Sequence, residues 1–167
     1  MTNEITVRLF QPDEWALYKA IRLRALQADP DVFGSGYNEM AVKPDIYWQE
    51  RLKNPEHGLF GIFHGKTLIG MTGVYIEDKT SQAWLGSSWL EKEWRNKGLS
   101  ARLFEARVKW AQQHPALKSM LVAHRERNIS SKKAILKYGF QFDRTDDMTW
   151  PDGTTEPEFI YKLKLGA

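Results

Sequence analysis

Seven strand-like runs separated by four helical patterns predict a mixed α/β (α+β) sheet domain. Three observations carry that reading. Short runs alternate apolar and polar residues, apolar stripes at helical spacing fall between some of them, and Pro or Gly marks most junctions. Successive runs are joined both by tight turns and by helices, so hairpins and crossovers share one sheet. A chain of 167 residues suits a single domain over 1–167.

Residues 5–10 alternate as a first strand. Pro12-Asp13-Glu14 opens a helix whose stripe is Trp15, Tyr18, Ile21 and Ala25, and Pro30 ends it. Pro44 starts a shorter helix carrying Ile46, Trp48 and Leu52, closed by Asn54-Pro55. Residues 59–63 and 67–77 form a hairpin about Gly65-Lys66. Residues 83–90 are the next strand. A helix from Leu99 to about His114 has a wide stripe, with Leu99, Leu103, Ala106 and Trp110 joined by Phe104, Val108 and Ala111. Pro115 stops it. Residues 119–124 form a short strand and 130–138 a helix with Gly139 as its C-terminal cap. Residues 140–150 and 155–165 make a last hairpin around Pro151-Asp152-Gly153.

Composition narrows the function. Hydrophobic residues at 42% and charged residues at 27% are values of a folded chain. The absence of cysteine excludes disulfides, thiolate metal sites and a cysteine nucleophile, and no metal is expected. A net charge of +3 is too small to argue for nucleic acid. No apolar run approaches the roughly 20 residues of a membrane helix. The first residues show no secretory pattern, so a cytoplasmic location is expected. Asn128-Ile129-Ser130 matches a glycosylation acceptor, read as chance in that context.

Three segments could carry chemistry. Gly65-Lys66-Thr67 has the look of a nucleotide P-loop, but Phe60 stands where that motif needs glycine and a strand follows, so it is a turn. Arg95-Asn96-Lys97-Gly98-Leu99-Ser100 lies between a strand and a helix start. Unpaired N–H groups and the helix dipole favour an anion there, so this is a phosphate cradle. Asn128 through Phe140 reads as a strand end, a polar helix start, a short helix and a glycine cap.

Together the last two segments resemble the GNAT acetyltransferase superfamily. The resemblance rests on Arg95-x-x-Gly98-x-Ser100, then Asn128-x-x-Ser131, then Lys137-x-Gly139-Phe140. It extends to Arg22-Leu23-Arg24-Ala25-Leu26, Asp29-Pro30, Phe33-Gly34-Ser35-Gly36-Tyr37 and Gly70-Met71-Thr72-Gly73, and so spans about residues 5 to 165. It implies a mostly antiparallel central sheet of six to seven strands with a splayed parallel pair, flanked by about four helices. It implies acetyl-CoA as donor and co-substrate, held where residues 83–90 and 119–124 splay apart. Backbone groups near Ser88 and Leu90 would meet the pantetheine arm. The N–H groups of the loop Arg95, Asn96, Lys97, Gly98, Leu99 and Ser100 would hold the pyrophosphate, with Arg95 and Lys97 adding charge. Asn128 and Ser131 would border the reaction centre. Ser100 replaces the usual Gly or Ala and is small enough to keep the packing close.

One departure touches the chemistry. Family members commonly place a tyrosine acid seven residues after the Asn; here that position is Ile135. Tyr138 lies on a neighbouring helical face and reads as core. A thiol has a pKa near 8.5, so a thiolate leaves tolerably, and acid catalysis is worth about 10²–10⁴-fold. Ser131 or water is the replacement. An alkylamine acceptor, with a pKa near 10.4, must lose a proton before it attacks. His124 has the right intrinsic pKa at the strand end. Glu91 flanks the cofactor loop, while Glu126 belongs to the charged run Arg125-Glu126-Arg127. The acceptor, a small-molecule or peptide amine, is expected between Phe33–Tyr37 and the last hairpin at Trp150, with Phe33, Tyr37 and Trp150 as contacts. Monomer and homodimer are both open. A non-catalytic acyl-CoA-binding sensor or adaptor module is the alternative.

Overall fold

The computed structural model describes residues 4–166. A seven-stranded sheet runs in the order β1-β2-β3-β4-β5-β7-β6. Its strands are β1 (Ile5–Leu9), β2 (His57–His64), β3 (Thr67–Ile76), β4 (Gln82–Leu90), β5 (Ser119–Arg125), β6 (Gln141–Thr149) and β7 (Thr155–Lys164). All neighbours are antiparallel except β4 and β5. The helices are α1 (Trp15–Ala28), α2 (Tyr37–Ala41), α3 (Asp45–Lys53), α4 (Leu99–Gln112) and α5 (Ile129–Tyr138). The short helix α2 was not anticipated: one turn with a single buried residue, Met40, carries too little periodicity to see.

Central strands β2 and β3 are buried along nearly their whole length, so they read as continuous apolar runs. Alternation sends neighbours such as Leu59 and Phe60 to opposite faces. Phe60, Val74, Leu85, Met120 and Val122 pack with Phe104 and Trp110 of α4 and Ile135 of α5. Leu59, Phe63, Met71 and Trp89 pack with Tyr18, Ile21 and Leu26 of α1 and Trp48 of α3. Fully burying a side chain such as Ile21 or Met120 is worth about 1.5–3 kcal/mol. The Gly65-Lys66 turn is the expected hairpin corner, with Gly65 at φ 60°.

The feature that makes a site is where β4 leaves β5. The two pair only at Gln82–Ser119, Ala83–Met120 and Trp84–Leu121. Beyond that point β4 carries a bulge. Met71 faces Trp89 and Gly73 faces Gly86, so Thr72 alone opposes Ser87 and Ser88. Ser87 takes φ 56° there. Hydroxyl groups pin the bulge: Thr72 and Ser88 are 2.6 Å apart, and Tyr75 and Ser87 2.8 Å. A bulge bends and twists its strand, and β4 turns away from β5 as a result.

Candidate active site

The opening between β4 and β5 leads into a cavity of about 700 Å³. Leu85 through Leu90 form one wall and Val122 through Arg125 the other. Phe104 and Arg107 of α4 and Ile135 of α5 close the base. Phe33, Gly34, Met148 and Trp150 line the side toward α1 and the β6–β7 hairpin.

At one end of the opening, α4 begins. No side chain caps it, and its N-cap Gly98 has φ 78°. Asn96 also has positive φ, 60°. Left-handed residues alternating at a helix start gather N–H groups into an anion-binding concavity. A Cβ built on Gly98 meets nothing within 4 Å, so the glycine is required by its dihedral and not by crowding within the chain. Leu99 is buried against Leu103, Ile62 and Ile69, which anchors the loop to the sheet. Asn96 and Ser100 line the cavity, whereas Lys97, Gly98 and Leu99 do not. A diphosphate would therefore meet this loop at the mouth.

Arg95 lines the cavity and is also held by the fold. Its Nε donates to Leu90 O at 2.9 Å and its Nη2 to Asp29 Oδ2 at 2.7 Å. Trp89 Nε1 donates to the same carboxylate oxygen at 2.7 Å. Burial pushes the Asp29 carboxyl up, but these bonds from Trp89 and Arg95 outweigh it and leave the pKa lowered. Arg95 thus ties the cradle to the end of α1 and is already neutralised.

Ser88 and Leu90 lie on the cavity wall, as do Asn128 and Ser131. Asn128 Oδ1 accepts from Ser131 N at 3.2 Å, capping α5. Ile135, only 1% exposed and seven residues after Asn128, presents an alkyl surface to the cavity. Tyr138 stacks on Phe104 with ring centroids 5.0 Å apart and does not line the cavity.

The expected bases fare unevenly. His124 lines the cavity, but both ring nitrogens are engaged. Nδ1 lies 2.8 Å from Arg125 O, which only accepts, so Nδ1 carries the proton. Nε2, 3.0 Å from the Tyr161 hydroxyl, then accepts from it. The ring is also stacked between Phe159 and Tyr161. Its lone pair is occupied by the fold. Glu91 is outside the cavity and ion-paired with Arg24 at 2.7 Å. Tyr37 is half-buried in the cluster around Tyr18 and Trp48, away from the cavity.

Four residues of this site escaped the sequence reading. Glu158 lines the cavity, and burial, with Asp146 adding, raises its pKa above the ordinary carboxyl value. Arg107 is 3% exposed and hydrogen-bonds Ser88 Oγ at 3.1 Å under the bulge. Arg22 is buried on the cavity wall beside the Phe33 ring. Arg125, read as part of a solvated run, is 2% exposed. It donates to Glu156 at 2.8 Å, Asp152 at 2.9 Å and Asp31 O at 3.2 Å. Its guanidinium also lies 4.8 Å from the centre of the Trp150 ring. Arg125 therefore binds β5, the last hairpin and the Phe33 loop into one wall. The only signal was the spacing of acids at 152 and 156, which cannot be matched to an arginine before β5 and β7 are known to pair.

Among the described residues no cluster of three or more His, Asp or Glu is placed to hold a metal ion. No helix among them is long and apolar enough to cross a membrane.

The family model of the acetyltransferase (GNAT) family matches residues 22–140. Among curated proteins no sequence matches. Solved structures share the whole fold at low identity. A ribosomal-protein-S5-alanine acetyltransferase from Vibrio fischeri superposes with a TM-score of 0.80 at 16% identity, covering 99% of this chain and 95% of that one. A putative acetyltransferase from Salmonella typhimurium, yncA with its cofactor acetyl-CoA, gives 0.77 at 13% identity, covering 98% and 95%. A spermidine N-acetyltransferase from Vibrio cholerae, in complex with CoA and spermine, gives 0.76 at 10% identity, covering 96% and 95%.

Proposed function

This chain belongs to the acetyltransferase (GNAT) family, and on that footing we propose that it moves an acetyl group from acetyl-CoA to a primary amine of a small molecule or peptide. One observation carries the reading: β4 and β5 part after three paired residues and open directly onto the uncapped start of α4. The edge of β4 toward β5, unpaired from Leu85 to Leu90, suits a pantetheine arm, which is amide-bearing and pairs like an extra strand. The N–H groups from Asn96 to Ser100 suit the pyrophosphate, with Lys97, which forms no ion pair among the described residues, adding charge. Bound there, acetyl-CoA supplies an activated thioester carbonyl.

The residues of the chain do the rest. Backbone N–H groups at the bulge stabilise charge on the carbonyl oxygen. Glu158 takes the ammonium proton, a task for which a carboxyl of raised pKa is suited. Asn128 holds the N-terminal turn of α5 so that Ser131 faces the cavity. Ser131 or water returns a proton to the thiolate. Attack is direct, with no covalent enzyme intermediate.

Ile135 is the observation that favours the alternative, a binding module without turnover. One assay separates the two. Purified protein is mixed with acetyl-CoA and a panel of amines, and free thiol is followed. Amine-dependent thiol release is expected. Tight CoA binding with no release on any amine would replace the enzyme by a binding module.

A further inference from the structure

The cavity contains one guanidinium that the protein does not satisfy. Arg22 is 8% exposed, and its Nη1 is buried with no hydrogen-bond partner. No carboxylate among the described residues lies within ion-pair distance of it. Its guanidinium carbon lies 5.0 Å from the centre of the Phe33 ring. The neighbouring cations differ. Arg95 is paired with Asp29, Arg24 with Glu91, and Arg125 with Asp152 and Glu156.

A buried guanidinium stays charged, and leaving it unpaired is costly. That cost is offset when a ligand brings the missing anion. A planar fork beside an aromatic face is a bidentate site for a planar anion. Of the two acids that line the same cavity, Asp29 is taken up by Arg95, and Glu158 forms no ion pair among the described residues.

We infer that the amine acceptor also carries a carboxylate, bound by Arg22 beside Phe33, so that amino acids and related amino carboxylates are its class. The inference rests on the acetyltransferase reading for the amine, but not for the anion site. Glu158 on the same cavity gives the ammonium end a counter-charge.

The test uses matched amines differing only in the carboxylate: phenylalanine against phenethylamine, and lysine against cadaverine. Phosphoethanolamine serves as the dianionic control. Wild type, Arg22→Met and Arg22→Lys are assayed for kcat/KM, with CoA affinity by calorimetry as the check on folding. Wild type should favour the carboxylate member by about 100-fold, the range of one charged contact. Arg22→Met should reduce that ratio to within a few-fold, and Arg22→Lys should restore part of it. Equal turnover of both members, a preference that survives Arg22→Met, or a preference for phosphoethanolamine overturns the inference. If no amine is acetylated, the enzyme reading fails by itself. The anion site is then read from calorimetry of the CoA complex with N-acetylphenylalanine and N-acetylphenethylamine. Arg22-dependent binding of the first alone supports the site, and equal or absent binding overturns it.

Discussion

Arg107 lies 3% exposed beneath the β4 bulge with no carboxylate against it, so Arg107→Met removes a charge that the fold must carry. Burial lowers its pKa from the ordinary guanidinium range to about 9. At about 1.36 kcal/mol per unit, that is a cost of about 5 kcal/mol to the charged form. Against it stand bonds to Leu103 O and Ser88 Oγ at 3.1 Å each and a long one to Gly73 O at 3.5 Å. At about 1–1.5 kcal/mol apiece the two shorter bonds return about 2–3 kcal/mol. Methionine fills a similar volume, so Arg107→Met should be more stable by about 2 kcal/mol, raising Tm by about 4–8 °C in a chain this long. The pH dependence has a definite sign. The folded-state pKa lies below the unfolded one, so between them the unfolded state binds more protons. Wild type should therefore gain stability as pH rises above about 9, and the variant should not. Urea denaturation at pH 7 and pH 10 reads both effects. A variant less stable than wild type by more than about 1 kcal/mol would refute the reasoning and make Arg107 a net anchor.

Gly98→Val forces a β-branched residue to φ 78°, at about 1–2 kcal/mol, and places its side chain over the N–H cradle. CoA affinity should fall at least about tenfold by calorimetry, and wild-type affinity would remove the loop from pyrophosphate contact. Gly70→Ala puts a Cβ 2.5 Å from Trp89 O, so β3 and β4 must move apart. A loss of about 1–3 kcal/mol is expected in urea, and no loss would contradict that close approach. Glu158→Gln should lower kcat/KM by about 10²–10⁴-fold and erase an acid limb lying above the ordinary carboxyl range. An unchanged limb would assign the proton elsewhere. Since the Glu158 pKa is raised on folding, its contribution to stability is lost as pH rises through that value, so Glu158→Gln should also be more stable at pH 7.

The elements were legible because each has a local cause. Pro12, Pro30, Pro44, Pro115 and Gly139 punctuate the chain, and strand boundaries agree with the alternation to within two residues. The loop before α4 was legible for the same reason, being one contiguous strand–loop–helix. The acceptor side was not. Arg107 sits among apolar residues of the α4 stripe, and a single arginine there reads as a solvated interruption. Its burial depends on β3 and β4 lying across from it, a long-range fact. The partners of His124 were hidden in the same way. Its intrinsic pKa suits a base, but Tyr161 and the Arg125 carbonyl, which take up its nitrogens, become neighbours only when β5 pairs β7. Local pattern thus finds the elements and the loop before α4, and strand pairing decides which side chains meet across the cavity.

Pairing also sorts the arginines by purpose. Arg95 and Arg125 each join segments far apart in sequence, and each is neutralised by the acid it joins to. They shape the cavity without offering it charge. Arg22 and Arg107, on helices packed against opposite faces of the sheet, have no such acid. Stability alone does not retain an unpaired buried cation, because an apolar residue of similar volume removes the desolvation cost. The two must therefore be retained for what they do to something else. For Arg107 that is the Ser88 hydroxyl at the bulge, which sets where β4 parts from β5. For Arg22 it is the acceptor's anion. If that division is right, both methionine variants should gain stability while differing in what they lose: Arg107→Met turnover on every amine, and Arg22→Met only the distinction between amines with and without a carboxylate.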